Sequence, residues 1–161
     1  MPLKPKKSLG QNFLHDKNII NKIIDASKIC SNDEVLEIGP GTGNLTNFII
    51  SKKPKKIYVI EKDENLANDL EKKFLNQIKV IKKDILKIPS EFYLGKKFLI
   101  LGNLPYNIST KILSNWCLNN KLNVSRMILM FQKEVADRIL ANVNSKEYSR
   151  ITILSKWKYD I

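Results

Sequence analysis

Hydrophobic positions along this chain switch repeatedly between two periods. Over residues 16–30 the side chains of Ile19, Ile20, Ile23, Ile24 and Ile29 recur at helical spacing, with Asp16 placed to cap the first turn. The short segment 35–39, apolar but for Glu37 and closed by turn residues at 40–43, reads as a buried strand. The same change of period repeats along the chain. It predicts a helix to about residue 52, a strand over 57–61, a charged amphipathic helix over 63–74 and strands over 78–81 and 98–101. A helix over 109–119, a strand over 126–131 and helices over 133–141 and 148–158 complete the series. Strands alternating with helices at this spacing predict a doubly wound α/β domain over 16–161, with a mainly parallel sheet and right-handed crossovers. Residues 1–15 are basic and contain Pro2, Pro5 and Gly10, so they read as an extended arm.

Composition narrows the classes. A chain of 161 residues, 43% hydrophobic and 27% charged, suits one soluble domain with a real core. No apolar run approaches the roughly 18 residues of a membrane span. Met1-Pro2-Leu3-Lys4-Pro5-Lys6-Lys7 has no apolar stretch after its charges, so a secretory leader is not expected. Cys30 and Cys117 lie far apart without a CxxC pairing, and His15 is the sole histidine. A metal site is therefore not expected, and a reducing cytoplasm is the expected setting. The net charge of +12 has two readings. Codon bias of an AT-rich genome enriches Lys, Asn and Ile; alternatively, the positive field serves to attract a phosphate polyanion. With no strongly amphipathic basic helix, nucleic acid is favoured over a membrane surface.

The candidate chemistry sits where strands end. Gly102-Asn103-Leu104-Pro105-Tyr106 follows the apolar run 97–101 and combines an amide, a stiffened backbone and an aromatic ring. Loops at the carboxyl ends of parallel strands are where open α/β sheets bind ligands. The Asn103 oxygen and a neighbouring backbone carbonyl can accept from an uncharged ring NH2, while the Tyr106 face stacks on the base. This is apparatus for methylating the exocyclic amine of adenine. Upstream, Glu37-Ile38-Gly39-Pro40-Gly41-Thr42-Gly43 has the spacing GxGxG rather than the GxGxxG of a dinucleotide fingerprint. Glu61 closes the second strand and can bind ribose hydroxyls, of NAD or of S-adenosylmethionine alike. Asp84 follows the third strand and can meet an adenine amino group; on its own it also suits an Asx turn or helix cap. Phe131 at the fifth strand end suits either core packing or base stacking. His15 reads as a solvated or capping residue, and Trp116 and Trp157 as helix-packing residues.

Six segments together resemble the small-subunit (16S) ribosomal RNA adenine N6,N6-dimethyltransferase family, the enzymes linked to kasugamycin sensitivity. They are Ser8-Leu9-Gly10-Gln11-Asn12-Phe13-Leu14, the glycine loop with Glu37, Ile60-Glu61, Lys83-Asp84, the run 102–110 and the run 130–139, Met-Phe-Gln-Lys-Glu-Val-Ala-Asp-Arg-Ile. The glycine loop alone is weak evidence; GQNFL, GNLPYNIST and MFQKEVADRI together are strong. The resemblance implies a class I methyltransferase fold with S-adenosylmethionine as cofactor. It places Asn12, Leu14, Gly39, Gly41, Glu61, Asp84, Ile85 and Asn103 on the cofactor, and Asn103, Leu104, Pro105, Tyr106 and Phe131 around the target adenine. It implies that two adjacent adenosines near the 3′ end of small-subunit rRNA each receive two methyl groups, in an immature 30S subunit. A monomer, without metal or membrane, is the expected form, with Lys4, Lys6 and Lys7 contacting RNA.

Family members continue through two further strands and a helical C-terminal domain, so this chain reads as a catalytic domain truncated before its last strands, leaving autonomous activity in question and a strand edge exposed. The nearest rival is the large-subunit rRNA methyltransferase of macrolide resistance. It shares the arm and the glycine loop but typically has Ile at position 104, and Phe131-Gln132-Lys133-Glu134 argues against it. DNA adenine methyltransferases prefer Pro-Pro at 104–105. A non-catalytic subunit-assembly factor is the alternative from another class.

Overall fold

Asp16 sets the start of the first helix. In the computed structural model, which describes residues 13–161, its carboxylate accepts from the N–H groups of Asn18 at 2.8 Å and Ile19 at 3.3 Å. This caps α1 (Lys17–Ser27), which ends when Lys28 turns left-handed at φ 47° and ψ 44°. The helix is thus shorter than its apolar pattern: Ile29 lies beyond its end, and Ile19 faces outward at 39% exposure.

The remaining elements are β1 (Glu34–Ile38), α2 (Asn44–Ser51), β2 (Lys56–Glu61), α3 (Glu64–Phe74) and β3 (Lys79–Lys82). They continue with β4 (Lys97–Asn103), α4 (Ser109–Leu118), β5 (Asn123–Met130), α5 (Lys133–Leu140) and α6 (Arg150–Lys158). The five strands form one sheet in the order β3-β2-β1-β4-β5, and every neighbouring pair is parallel. The chain works outward from β1 to β3, then crosses back to β4 and outward to β5. That reversal makes a topological switch point between β1 and β4, where open sheets form their ligand crevice.

Side-chain alternation along the strands divides the core into two layers. On one face Leu36, Ile38, Ile60, Phe98 and Ile100 pack with Ile112 and Trp116 of α4. On the other, Val35, Val59, Leu99 and Leu101 pack with Ile20, Ile23 and Ile24 of α1 and Leu45 and Ile49 of α2. The strands read as almost unbroken apolar runs because both faces are covered, as parallel sheets require.

Three differences from the expected elements bear on function. β4 runs two residues past the apolar stretch, so Gly102 and Asn103 belong to the strand and pair with Leu129 and Met130 of β5. Three short 3-10 turns, Leu75–Gln77, Ile85–Lys87 and Ser90–Tyr93, lack enough length to show a period. Trp116 is buried as expected, but Trp157 is 68% exposed and does not pack helices. The inner face of α6 is made by Ile151, Thr152 and Ser155, which leaves Ile153 and Trp157, four residues apart, on the outer face. β5 forms a sheet edge, and beside it a groove of about 760 Å³ is lined by Leu113, Val124, Met127, Leu129 and Ile139 among others.

Phe98→Ala is expected to cost about 3–5 kcal/mol, because its ring is fully buried at the centre of one core layer. Trp157→Ala, by contrast, should change stability by no more than about 0.5 kcal/mol. Urea unfolding midpoints of the two variants check both values.

Candidate active site

The carboxyl edge of the sheet gathers nearly every residue that the sequence points to. In sheet order, Asp84 follows β3, Glu61 closes β2, Gly39 follows β1, Asn103 closes β4 and Phe131 follows β5. At about 4.8 Å between strands, this row spans roughly 20 Å. The loops at 39–43 and 104–108 in its centre carry no charged side chain.

The glycine loop remains attached to the sheet through the Gly39 N–H, which donates to the Ile60 carbonyl at 3.0 Å. Gly41 is left-handed at φ +57°, and a Cβ there would lie 2.8 Å from Cδ1 of Phe13. Backbone conformation and lack of space both demand glycine at this point. Phe13 therefore lies against the loop, and the Leu14 carbonyl accepts from Nδ2 of Asn44 at 2.8 Å. The same Asn44 nitrogen lies 3.0 Å from Nδ1 of His15. His15 is exposed and serves, with Asn44, to tie the arm to the start of α2. Asn12, Lys4, Lys6 and Lys7 fall outside the described residues.

A narrow pocket joins Phe13, Leu14, Glu37, Gly39, Gly41 and Asn103. Glu61 adjoins it through the loop backbone. Its two carboxylate oxygens accept from the Gly41 N–H at 3.2 Å and the Asp63 N–H at 2.9 Å. Burial pushes its pKa up, and those backbone donors oppose the rise. The Lys62 N–H is a third backbone donor to this carboxylate, so two-point binding of a diol there would replace backbone contacts.

Glu37 lies deeper and is 1% exposed. Burial drives its pKa up to about 8, against the opposing hydrogen bond from the Thr46 hydroxyl at 2.7 Å, and the nearby Glu61 charge raises it further. The sequence singles out Glu37 as an acid inside an apolar strand but does not assign it to a site. Its position on the pocket wall does so. Asn44, directly after the glycine loop, had no comparable signal.

Asp84 plays its bland part: one oxygen caps the turn Ile85–Lys87 through the Leu86 N–H at 3.0 Å. Its other oxygen meets Nζ of Lys62 at 3.0 Å. Partial burial would raise its pKa, but the Leu86 N–H and the Lys62 ammonium outweigh this and hold it below the usual carboxylate range. Ile85 begins that turn and packs partly against the core.

At the end of β4, Asn103 is half-buried, and its carbonyl lies 3.7 Å from the place of a Cβ on Gly39. The Leu104 side chain is 1% exposed and belongs to the core, so only its backbone is available to a ligand. The Pro105 carbonyl accepts from the Ile108 N–H at 3.1 Å, closing a turn that presents the half-exposed Tyr106. Phe131 packs partly between two core clusters and lines the groove beside β5, away from the narrow pocket. Among the described residues, no group of His, Cys, Asp and Glu could hold a metal ion, and no helix is long and apolar enough to cross a membrane.

Folding retains the Glu37 proton more tightly than the unfolded chain does. Its contribution to stability is complete below pH about 4.5 and is lost progressively as pH rises toward about 8. Glu37→Gln cannot ionise, so it should flatten the decline in unfolding free energy between pH 5 and 8, by up to about 4 kcal/mol. Urea titrations at the two pH values check this; a slope unchanged from wild type would contradict a buried, protonated Glu37.

The comparisons with known proteins agree with this geometry. The family model described as ribosomal RNA adenine dimethylase matches residues 3–161. A protein named ribosomal RNA small subunit methyltransferase A, from Pelagibacter ubique (strain HTCC1062), is 53% identical over 100% of this chain and 62% of its own length. One of the same name from Wolbachia sp. subsp. Drosophila simulans (strain wRi) is 42% identical over 99% of this chain and 59% of its own. Among solved structures, a dimethyladenosine transferase from Plasmodium falciparum is 37% identical with a TM-score of 0.76, covering 90% of this chain and 52% of that one. The 23S rRNA methyltransferase ErmE is 28% identical with a TM-score of 0.70, covering 89% and 55%. The chain thus spans about 60% of the length of these curated relatives. On the family match over nearly its full length, this chain belongs to the ribosomal RNA adenine dimethylase family.

Proposed function

We propose that this chain carries the catalytic domain of an S-adenosylmethionine-dependent adenine N6,N6-dimethyltransferase that acts, as a monomer, on two adjacent adenosines of small-subunit rRNA. The observation that carries this reading is the seam between β1 and β4, where Asn103 and the glycine loop share one pocket. The residues present fit the methyl donor. Gly41 allows close backbone approach, Glu61 offers two acceptor oxygens to a ribose, and Leu14, Gly39 and Asn103 line the pocket. Asp84 and Ile85 stand at the neighbouring strand end for its adenine. When bound, the donor supplies an electrophilic methyl group on a sulfonium.

The chain's own residues would then activate the nucleophile by position. The adenine amino lone pair is delocalised into the ring, so the nitrogen is a poor nucleophile but hardly basic. Two acceptors on its hydrogens favour an sp3-like nitrogen whose lone pair points out of the ring plane. Asn103 Oδ1 is the first acceptor. The Leu104 carbonyl is the better second one, because the Pro105 carbonyl already accepts from Ile108. Tyr106 stacks on the base, and Phe131, at the neighbouring strand end, covers its other face. Orientation and fixed dipoles supply the catalysis, without a strong general base. A neutral amide at 103 avoids the desolvation cost of a carboxylate beside the ligand.

Transfer of tritiated methyl groups from S-adenosylmethionine to unmethylated small subunits tests the reading. Asn103→Ala is expected to lower the rate by roughly 10²–10³. Tyr106→Ala should weaken base capture by about 1–3 kcal/mol. Equal counts from wild type and Asn103→Ala would remove the mechanism. Primer extension stopping only on large-subunit RNA would transfer the chain to the ErmE type, and subunit binding with no methyl transfer would leave an assembly factor.

A further inference from the structure

All five strands are parallel, so their amino ends share one edge, opposite the candidate active site. Lysines collect there. Lys56 opens β2 directly after Lys55, Lys79 opens β3 and Lys97 opens β4, while Lys52 and Lys53 occupy the turn between α2 and β2. All six are exposed. Few carboxylates oppose them. Glu34 is shared with Lys55 at 3.7 Å, Asp33 is engaged by the Cys30 N–H, Glu91 is paired with Lys121 at 2.6 Å, and Asp25 lies in the last turn of α1. Among the described residues, Lys52, Lys53, Lys79 and Lys97 have no ion-pair partner.

The opposite edge is more nearly balanced among the described residues. Lys62 is paired with Asp84, Lys82 with Glu71 and Lys133 with Asp137; Lys83, Lys87 and Lys111 have no ion pair, but Asp16, Glu61, Asp63, Glu64 and Glu134 add negative charge. A compositional excess of lysine would spread evenly over both edges. Among the described residues, lysines exceed carboxylates more on the edge remote from the chemistry. From Lys79 on β3 to Lys97 on β4 the row crosses three strand spacings, about 14 Å, with Lys52 and Lys53 extending it. That length faces several consecutive phosphates of a nucleic-acid backbone. Lys52, Lys53, Lys79 and Lys97 are flexible ammonium groups, which read charge rather than base sequence.

We infer that the amino-terminal edge of the sheet is a second RNA-binding face, which holds the phosphate backbone of a double-stranded RNA segment while the carboxyl edge receives the target base. The inference rests on the rRNA reading for its choice of polyanion, but it needs no methyl transfer to be tested. One molecule would bridge two RNA elements on opposite sides of the domain, so that a free loop carrying the adenosines lacks half of the binding surface.

The probe is a 20-base-pair RNA duplex without unpaired adenosines, titrated at several salt concentrations. Wild type is compared with a quadruple Lys→Gln variant at Lys52, Lys53, Lys79 and Lys97, and with the quadruple Lys→Arg variant at the same positions. A control has Gln at Lys17, Lys22, Lys87 and Lys111, which lie off that edge. If each lysine neutralises one phosphate, the Lys→Gln variant loses about 3.6 from the log–log salt slope. Its affinity at low salt should fall at least tenfold more than that of the control, while Lys→Arg remains close to wild type. Equal losses in the edge variant and the control would overturn the inference in favour of diffuse attraction. Binding of poly-glutamate but not of the duplex would assign the face to an acidic protein. S-adenosylmethionine titration of the same variants separates the two readings: the edge variant should keep wild-type cofactor binding, and a wild type that binds duplex but no cofactor would sink the methyltransferase reading alone.

Discussion

The seam between β1 and β4 is the constraint on which the rest depends. Gly102 pairs with Ile38 across it, and a Cβ at Gly102 would lie 3.2 Å from the Ile38 carbonyl and 3.1 Å from the Leu104 side chain. Glycine therefore lets the two strands remain in register to their ends. The next residue on each strand lines the narrow pocket: Gly39 on one and Asn103 on the other. If a larger residue moved β4 by even a few tenths of an ångström, the Asn103 amide would be displaced relative to the glycine loop. Leu104 then anchors the seam from below by burying its side chain in the core, leaving the backbone of the loop at the surface.

Around this seam the charges are arranged by depth. The loops nearest the pocket are neutral, and the two acids that approach it are both held in the interior with raised pKa values, mainly by burial. Glu61 is the shallower, tied to the Gly41 and Asp63 amides and positioned to exchange backbone partners for hydroxyls. Glu37 is deeper and shares its oxygen with Thr46, so it connects β1, α2 and the pocket wall. Positive charge accumulates away from both, at the amino edge of the sheet.

Most of this was legible in the sequence because parallel strands covered on both faces are continuous apolar runs, and because the strand ends carry unusual residues. The order of elements and the positions of Gly39, Glu61, Asp84 and Asn103 at strand ends follow from that pattern alone. Other features depend on three-dimensional partners and left no periodic signal. α1 stops before its apolar residues do, because Lys28 turns left-handed. Gly102 and Asn103 lie in β4 although neither is apolar, since strand pairing with β5 holds them there. Leu104, in a motif read as a base frame, gives its side chain to the core. Trp157 faces outward because Ile151, Thr152 and Ser155 make the inner face of α6. The salt bridge of Asp84 with Lys62 likewise joins residues from two different strand ends.

The central claim is that the glycine loop, Glu61 and Asn103 form one nucleoside-binding site at this seam. Calorimetric titration of the chain with S-adenosylmethionine tests it most directly, with NADH as the comparison ligand. Saturable binding of one S-adenosylmethionine per chain is expected, accompanied by thermal stabilisation and displaced by S-adenosylhomocysteine, with no comparable heat from NADH. A folded chain that gives neither heat nor stabilisation with S-adenosylmethionine, or that binds NADH equally well, would contradict it.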